Sequence, residues 1–226
     1  MIAGSHDTCV DDDGLLYSQQ FGDHYFSRHD GSEECRHVFL AGNDLPGRWR
    51  DQSDFTIGEL GFGTGLNFLV TWQAWKRARL PGQRLNFVSL EAYPLKPDTA
   101  REALSSWPDL AGLTDELLAQ WNSLTAPHQI DDQTTLQVHH CPVEQALPRF
   151  PETDAWYLDG FAPSKNPDMW SLDAMQRIAD HTAPNGTFAS YTAAGWVRRN
   201  LDAAGFEVIK KPGFGTKRDM IAGVLR

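Results

Sequence analysis

Apolar and polar positions along the chain fall into two alternating registers. Compact, mostly apolar runs at 55–59, 85–91, 134–139, 155–159, 186–192, 206–209 and 220–225 read as strands. Between them lie stretches whose apolar residues recur three and four apart, the spacing of a helix face. The clearest is 65–79, where Leu66, Leu69, Val70, Trp72, Ala74 and Trp75 make a broad apolar face and Pro81-Gly82 stops the helix. Further helices are predicted at 97–106, 109–121, 143–147, 167–181 and 193–204, the last ended by Gly205. Seven strands interleaved with helices predict an α/β fold with a doubly wound, mostly parallel seven-stranded sheet. Right-handed crossovers then place the loops after the first strands on one edge.

The pattern before residue 54 is different. Runs 15–21 and 24–27 flank Gly22-Asp23, a hairpin turn. Ser32 is the expected cap of a short helix through Glu33, Cys35, Val38 and Phe39, ending at Gly42-Asn43. Leu45-Pro46-Gly47 breaks the pattern. Residues 15–53 thus read as an N-terminal appendage to a core at 54–226, and the small, acidic stretch 1–14 as poorly ordered. No repeat, linker or low-complexity tract divides the chain, so one domain over 1–226 is expected.

Composition changes this picture little. A chain of 226 residues, 41% hydrophobic and 22% charged, suits one soluble α/β domain with a full core. No membrane span or signal peptide is evident, and three cysteines without a Cys-x-x-Cys motif suit a reducing cytoplasm. His139-His140 make a poor metal pair, because neighbours on a strand face opposite ways, and no metal site is expected. The net charge of −10 argues superficially against nucleic acid. Yet residues 195–226 hold seven basic residues (Arg198, Arg199, Lys210, Lys211, Lys217, Arg218 and Arg226) against three acids, a balance of +4 that leaves −14 on the remainder. A local basic face on an acidic body can bind a phosphate backbone, although a solvated surface explains the same count.

Chemistry concentrates in Glu59-Leu60-Gly61-Phe62-Gly63-Thr64-Gly65-Leu66-Asn67, a strand end, a glycine loop and a helix start. Gly61 permits a tight turn, Gly63 lets backbone approach a ligand, and Gly65 removes a side chain where the helix must pack on the sheet. Helix N-terminal amides then face the ligand. A dinucleotide fingerprint needs its third glycine where this chain has Leu66. Glu91, at the end of the second strand beside Ala92, is placed to accept bonds from both ribose hydroxyls of a nucleotide-like ligand. Asp159 ends the fourth strand at the mouth of the site. After the third strand, Pro142 stands where an acid for an adenine amino group is expected, so Glu144 or a backbone carbonyl must substitute. The loop 213–218, Gly-Phe-Gly-Thr-Lys-Arg, joins the last two strands as a mobile hairpin whose basic residues can touch phosphate. Met169 and Trp170, after the helix start Asn166-Pro167-Asp168, read as core.

Glu-x-Gly-x-Gly-x-Gly resembles the first motif of Rossmann-like class I S-adenosylmethionine (SAM)-dependent methyltransferases. Three longer runs sharpen this: Glu59 to Leu69, Leu158-Asp159-Gly160-Phe161-Ala162-Pro163-Ser164-Lys165-Asn166-Pro167-Asp168-Met169-Trp170, and Gly213-Phe214-Gly215-Thr216-Lys217-Arg218-Asp219-Met220. With them, nearly everything from Asp23 onward resembles the methyltransferase domain of the MnmC family, which completes 5-methylaminomethyl-2-thiouridine at the tRNA wobble position. The resemblance implies that SAM donates a methyl to the primary amine of 5-aminomethyl-2-thiouridine at position 34, with Asp159 beside that amine. It implies cofactor contacts at Glu59, Gly61, Gly63, Gly65, Asn67, Glu91, Ala92 and Asp159, with Glu144 near the adenine. Arg198, Arg199, Lys210, Lys211, Lys217 and Arg218 are the expected tRNA phosphate contacts, and Tyr25 and Phe161 the expected border of the base. Larger members continue into an FAD-dependent oxidase domain, which is not expected in this chain. The aminomethyl precursor then comes from another enzyme or chain. Two alternatives remain open: a small-molecule amine N-methyltransferase on the same fold, and an inactive SAM-binding module that docks to the oxidase or to tRNA.

Overall fold

The computed structural model describes residues 8–11, 14–27 and 30–226. In chain order, β1 (Thr8–Val10), β2 (Leu16–Ser18) and β3 (Asp23–His24) form a small antiparallel sheet. Helix α1 (Gly31–Cys35) runs on through a π turn (Arg36–Leu40) and a 3-10 turn (Ala41–Asn43). Then follow β4 (Asp54–Leu60), α2 (Leu66–Ala78), β5 (Arg84–Leu90), α3 (Pro97–Leu104), α4 (Ala111–Leu118), β6 (His128–Asp131) and β7 (Thr134–His139). The chain closes with α5 (Val143–Ala146), β8 (Thr153–Leu158), α6 (Leu172–Asp180), β9 (Thr182–Ser190), α7 (Gly195–Ala203), β10 (Phe206–Pro212) and β11 (Asp219–Leu225).

The main sheet has the order β10-β11-β9-β8-β4-β5-β7-β6. Its five central strands are parallel, and β6, β11 and β10 pair antiparallel to their neighbours. Alternation along each strand feeds two cores. Ala155 and Tyr157 pack with α2, α4 and the helical segment 35–40, whereas Trp156 and Leu158 pack with α5, α6 and α7. Full burial of an aliphatic or aromatic side chain contributes roughly 1.5–3 kcal/mol, so this two-sided packing holds the α/β fold together. From β4 the chain moves outward through β5 to β7 and then returns to the other flank of β4 as β8. Loops after β4 and β8 therefore diverge and open a crevice at their carboxyl ends.

Four sequence expectations are corrected. The sheet has eight strands, not seven. The addition, β6, is four residues long with one buried apolar side chain, Ile130, and a pairing irregularity, so it leaves no alternating pattern to read. The α1 cap is Asp30 instead of Ser32. The Asp30 carboxylate accepts from the Ser32 and Glu33 amides at 2.9 and 3.1 Å and from the Trp107 indole at 3.0 Å, which leaves Ser32 inside the first turn. The helix expected over 167–181 is interrupted. Pro167–Trp170 is a 3-10 turn, and Ser171 caps α6 by accepting from the Ala174 amide at 3.2 Å. Of the stretch 1–14, read as poorly ordered, residues 1–7, 12 and 13 lie outside the described residues, but Thr8–Val10 is a strand paired with β2. Asp11 closes that pairing by accepting from the Leu15 amide at 2.9 Å.

The segment read as an appendage is tightly integrated. Val38 and Trp49 are fully buried. Asn43, also buried, donates to the Trp156 carbonyl at 3.3 Å and accepts from the Thr187 hydroxyl at 2.6 Å, which stitches this layer to β8 and β9. No helix among the described residues is long and apolar enough to cross a membrane.

Candidate functional site

A cavity of about 810 Å³ opens at the carboxyl ends of β4, β5, β7 and β8, within the usual range for small-molecule sites. Its floor is the loop 61–64. Gly61 has φ +81°, and a Cβ there would stand 3.2 Å from the Gly160 Cα, so two backbones meet where only glycine fits. Gly65 caps α2 at φ +82°, and a Cβ would press on Leu117 of α4 at 3.0 Å. Its missing side chain thus makes room for a helix, not for the sheet as expected.

Glu91 lines the wall facing this floor. Its Oε2 accepts from the Gly63 amide at 2.9 Å and its Oε1 from the Tyr93 amide at 2.8 Å. Both oxygens are acceptors, the partners that ribose hydroxyls need. Burial and the nearby Glu91 charge push the Tyr25 hydroxyl far above its ordinary range, so it stays a neutral donor.

Asp159 stands opposite, half-buried. Its Oδ1 accepts from the Gly160 amide at 2.8 Å and its Oδ2 from Asn67 Nδ2 at 2.7 Å. The same amide nitrogen donates to Glu59 Oε1 at 3.0 Å, and Ser89 donates to Glu59 Oε2 at 2.6 Å. Asn67 thus spends both its protons on two carboxylates. Glu59, expected among the cofactor contacts, is 0% exposed and does not line the cavity, whereas its partner Asn67 does. Burial is the main reason that Glu59 rises to about 8, with Asp159 and Glu91 adding to it. Burial likewise lifts Asp159 to about 6, restrained by its bonds to Asn67 and Gly160. At neutral pH the pair divides: Glu59 is mostly protonated and Asp159 mostly ionised.

Other expected residues separate into two groups. Gly61, Gly63, Asn67, Glu91, Ala92, Glu144, Asp159, Tyr25, Phe161 and Lys217 all line the cavity. Gly65, Arg198, Arg199, Lys210, Lys211 and Arg218 do not. Pro142 and Glu144 stand together at the end of β7, where an acid was sought. The basic set does not form one patch. Lys210 pairs with Asp219 at 2.6 Å on the sheet face covered by α7, and Arg218 and Arg198 join it in holding Asp219 below its ordinary range. Lys211, the next residue on the strand, points to the other face and approaches the Gly42 carbonyl at 3.4 Å. Trp170 is core as expected, whereas Met169 lines the cavity.

Several wall residues were not anticipated. Phe21 stacks on Phe161 with centroids 4.5 Å apart and meets Tyr93 edge-on at 5.5 Å, while Tyr25 meets Phe161 at 5.3 Å. Asp23 accepts from the Ala162 amide at 2.9 Å and pins the β2–β3 hairpin over the site. Tyr191 follows directly on β9, on the same carboxyl edge, and its position could have marked it. Phe21 carries no such signal, because only the fold brings its loop to Phe161. The charged lining is strongly acidic: Asp23, Glu34, Glu91, Glu144, Asp159 and Asp168 against Lys165 and Lys217. Among the described residues no group of three or more His, Cys, Asp or Glu side chains is disposed to hold a metal ion.

Comparison with known proteins bears on this site. The sequence profile described as "S-adenosyl-L-methionine-dependent methyltransferase" matches residues 108–226. The "tRNA 5-methylaminomethyl-2-thiouridine biosynthesis bifunctional protein MnmC" of Chromohalobacter salexigens is 45% identical over 214 residues, covering 92% of this chain and 31% of that protein. Its namesake in Chromobacterium violaceum is 46% identical over 227 residues, covering 97% of this chain and 34% of that protein. The chain thus spans about a third of the length of the curated relatives it matches. The crystal structure of MNMC2 from Aquifex aeolicus superposes with a TM-score of 0.80 at 22% identity, over 99% of this chain and 72% of that one, and shares the fold. The Rossmann-like sheet, its glycine floor and the match over more than half of the chain lead to one conclusion: this chain belongs to the S-adenosyl-L-methionine-dependent methyltransferase family.

Proposed function

We propose that this chain transfers a methyl group from SAM to the primary amine of 5-aminomethyl-2-thiouridine at tRNA position 34. One observation carries the reading. The cavity sets six carboxylates, Asp159 among them, against two lysines, an environment for two cations, a sulfonium and an alkylammonium. The names of the relatives point to the same modified nucleoside.

The residues present fit SAM. A Cβ at Gly63 would approach the Tyr25 ring to 3.3 Å, so a bare backbone floor is built in beneath that ring. Glu91 holds the ribose hydroxyls, Gly61 and Gly63 shape the floor, and Ala92 and Glu144 border the adenine. Bound SAM would supply an electrophilic methyl carbon on a sulfonium. The protein's part is to hold the amine in line with that carbon, which can supply ~7–11 kcal/mol of the rate enhancement. An alkylammonium has no lone pair, so its proton must leave. Asp159, ionised above about pH 6, accepts a hydrogen bond from the amine, orients it and takes its proton, directly or through water. Glu59 acts through Asn67, as a positioning residue. Tyr25 and Phe161, with Phe21, border a wobble base splayed out of the anticodon loop. Arg198, Arg199, Lys210, Lys211, Lys217 and Arg218 include the phosphate contacts.

These residues act as one methyltransferase domain in the cytoplasm, with SAM as the methyl donor. An oxidase domain or separate enzyme supplies the aminomethyl precursor. The test is to incubate the protein with SAM and tRNA carrying aminomethyl-uridine, digest, and weigh the nucleosides. A gain of one methyl at position 34 supports the reading. Equal turnover of the free nucleoside makes the chain a small-molecule N-methyltransferase, and SAM binding without transfer makes it a docking module.

A further inference from the structure

One cation already reaches into the acidic cavity from its rim. Lys217 Nζ lies 2.7 Å from Glu34 Oε1 and 4.2 Å from the centroid of the Tyr191 ring. The Tyr191 hydroxyl donates to the Gly160 carbonyl at 2.8 Å, one residue beyond Asp159. This carboxylate-and-ring seat therefore adjoins the carboxylate assigned to the amine. The two partners are not equivalent. Only 12% of the Glu34 side chain is exposed, against 41% of that of Lys217. Glu34 is part of the wall, carried on α1. Lys217 reaches in from the loop 213–218, which His37 ties down through the Pro212 carbonyl at 2.9 Å.

The occupant is informative. A lysine ends in an ammonium on a primary carbon, the same group that an aminomethyl substituent presents. A carboxylate beside an aromatic face is a general recognition device for such cations. The geometry points to Glu34 as a specificity residue: its carboxylate and the Tyr191 ring form the seat for the substrate's ammonium, which displaces Lys217 on binding. This inference rests on the reading that the substrate is a primary amine. The exchange is one cation for one cation, so the wall keeps its charge balance. The field of Glu34 helps to hold Asp159 high while Lys217 opposes it, and an ammonium in the same seat preserves that opposition. Lys217, released beside Arg218, is then available to a phosphate of the RNA. A neutral substituent leaves Glu34 enclosed without a counter-ion, and an anionic one is repelled, so both are rejected.

Two measurements test this. In steady-state methylation of tRNA bearing the aminomethyl group, Glu34→Gln should raise KM about tenfold, the loss of one charge-assisted bond, with kcat and SAM affinity within about twofold of wild type. Glu34→Asp should recover most of that loss. Separately, propylammonium chloride is titrated into the protein and followed by NMR chemical shifts. Lys217→Met, which removes the charge and keeps an unbranched side chain, should bind it at least about tenfold more tightly than wild type, and the double variant with Glu34→Gln should lose that gain. An unchanged KM in Glu34→Gln, or equal propylammonium binding with and without Glu34, overturns the assignment. If wild type fails to methylate the tRNA, the proposed function falls, and the propylammonium titration still decides the seat.

Discussion

Asn67→Ala removes the amide that stands between two carboxylates. Asp159 then retains only its bond from the Gly160 amide at 2.8 Å, and Glu59 its bond from Ser89 at 2.6 Å. A hydrogen bond to a charged group contributes about 1.5–3 kcal/mol, and ~1.36 kcal/mol corresponds to one pKa unit. Asp159, at about 6 with Asn67 in place, should therefore rise to roughly 7–8. Glu59 also rises from about 8 and stays neutral. The sign is fixed by which form loses the donor: the bond stabilises carboxylate, so its loss favours the acid. At pH 7 the ionised fraction of Asp159 falls from roughly nine-tenths to between a half and a tenth. The assay is kcat/KM for methyl transfer to aminomethyl-bearing tRNA, from about pH 5.5 to about 9 at constant ionic strength. The acid limb should move up by about one to two units while the alkaline plateau recovers to within a fewfold of wild type. A limb that stays near 6 beneath a lowered plateau would show that Asn67 serves packing alone, and that the proton does not go to Asp159.

Gly61→Ala places a Cβ 3.2 Å from the Gly160 Cα at a positive φ, so urea unfolding should show a loss of about 1–3 kcal/mol, and an unchanged midpoint would contradict the close approach. Glu91→Gln turns one acceptor oxygen into a donor facing the Gly63 or Tyr93 amide. SAM affinity by calorimetry should drop about tenfold or more, and full affinity would remove Glu91 from ribose binding. Glu59 holds its proton more tightly folded, at about 8, than unfolded, at 4.5, so its contribution to stability is present below the lower value and lost as pH rises to the upper one. Glu59→Gln should flatten the fall in stability between those values, to which Asp159 adds up to about 6, and parallel slopes in wild type and variant would refute the shift. Raising salt should increase KM for tRNA and leave SAM affinity nearly constant, whereas a flat response would leave the basic residues as solvated surface.

The carboxyl edge was legible because its residues are set by position along strands. Glu91 and Asp159 each directly follow an apolar run, and both reach the cavity. Glu59 was read the same way but sits one residue earlier, before Leu60. Its side chain turns inward and meets the site through Asn67. The basic residues near the C-terminus looked like one group by count. Adjacent strand positions point to opposite faces, so Lys210 and Lys211 part company, and only Lys217 enters the cavity. Phe21 and Glu34 went unnoticed because nothing local distinguishes a wall residue from a surface one.

By itself the chain determined the alternation of strands and helices, the glycine floor after the first core strand, and the carboxylates beyond the strand ends. These are local properties, written in periodicity and in conformations that glycine alone tolerates. The tertiary structure decided what shares one space: a hairpin pinned by Asp23 over the site, an amide spent on two acids, and an ammonium facing Glu34 from a loop 183 positions downstream. Burial and field depend on distance through the fold rather than along the chain, so the division between a neutral Glu59 and an ionised Asp159 exists only once the sheet has closed around them.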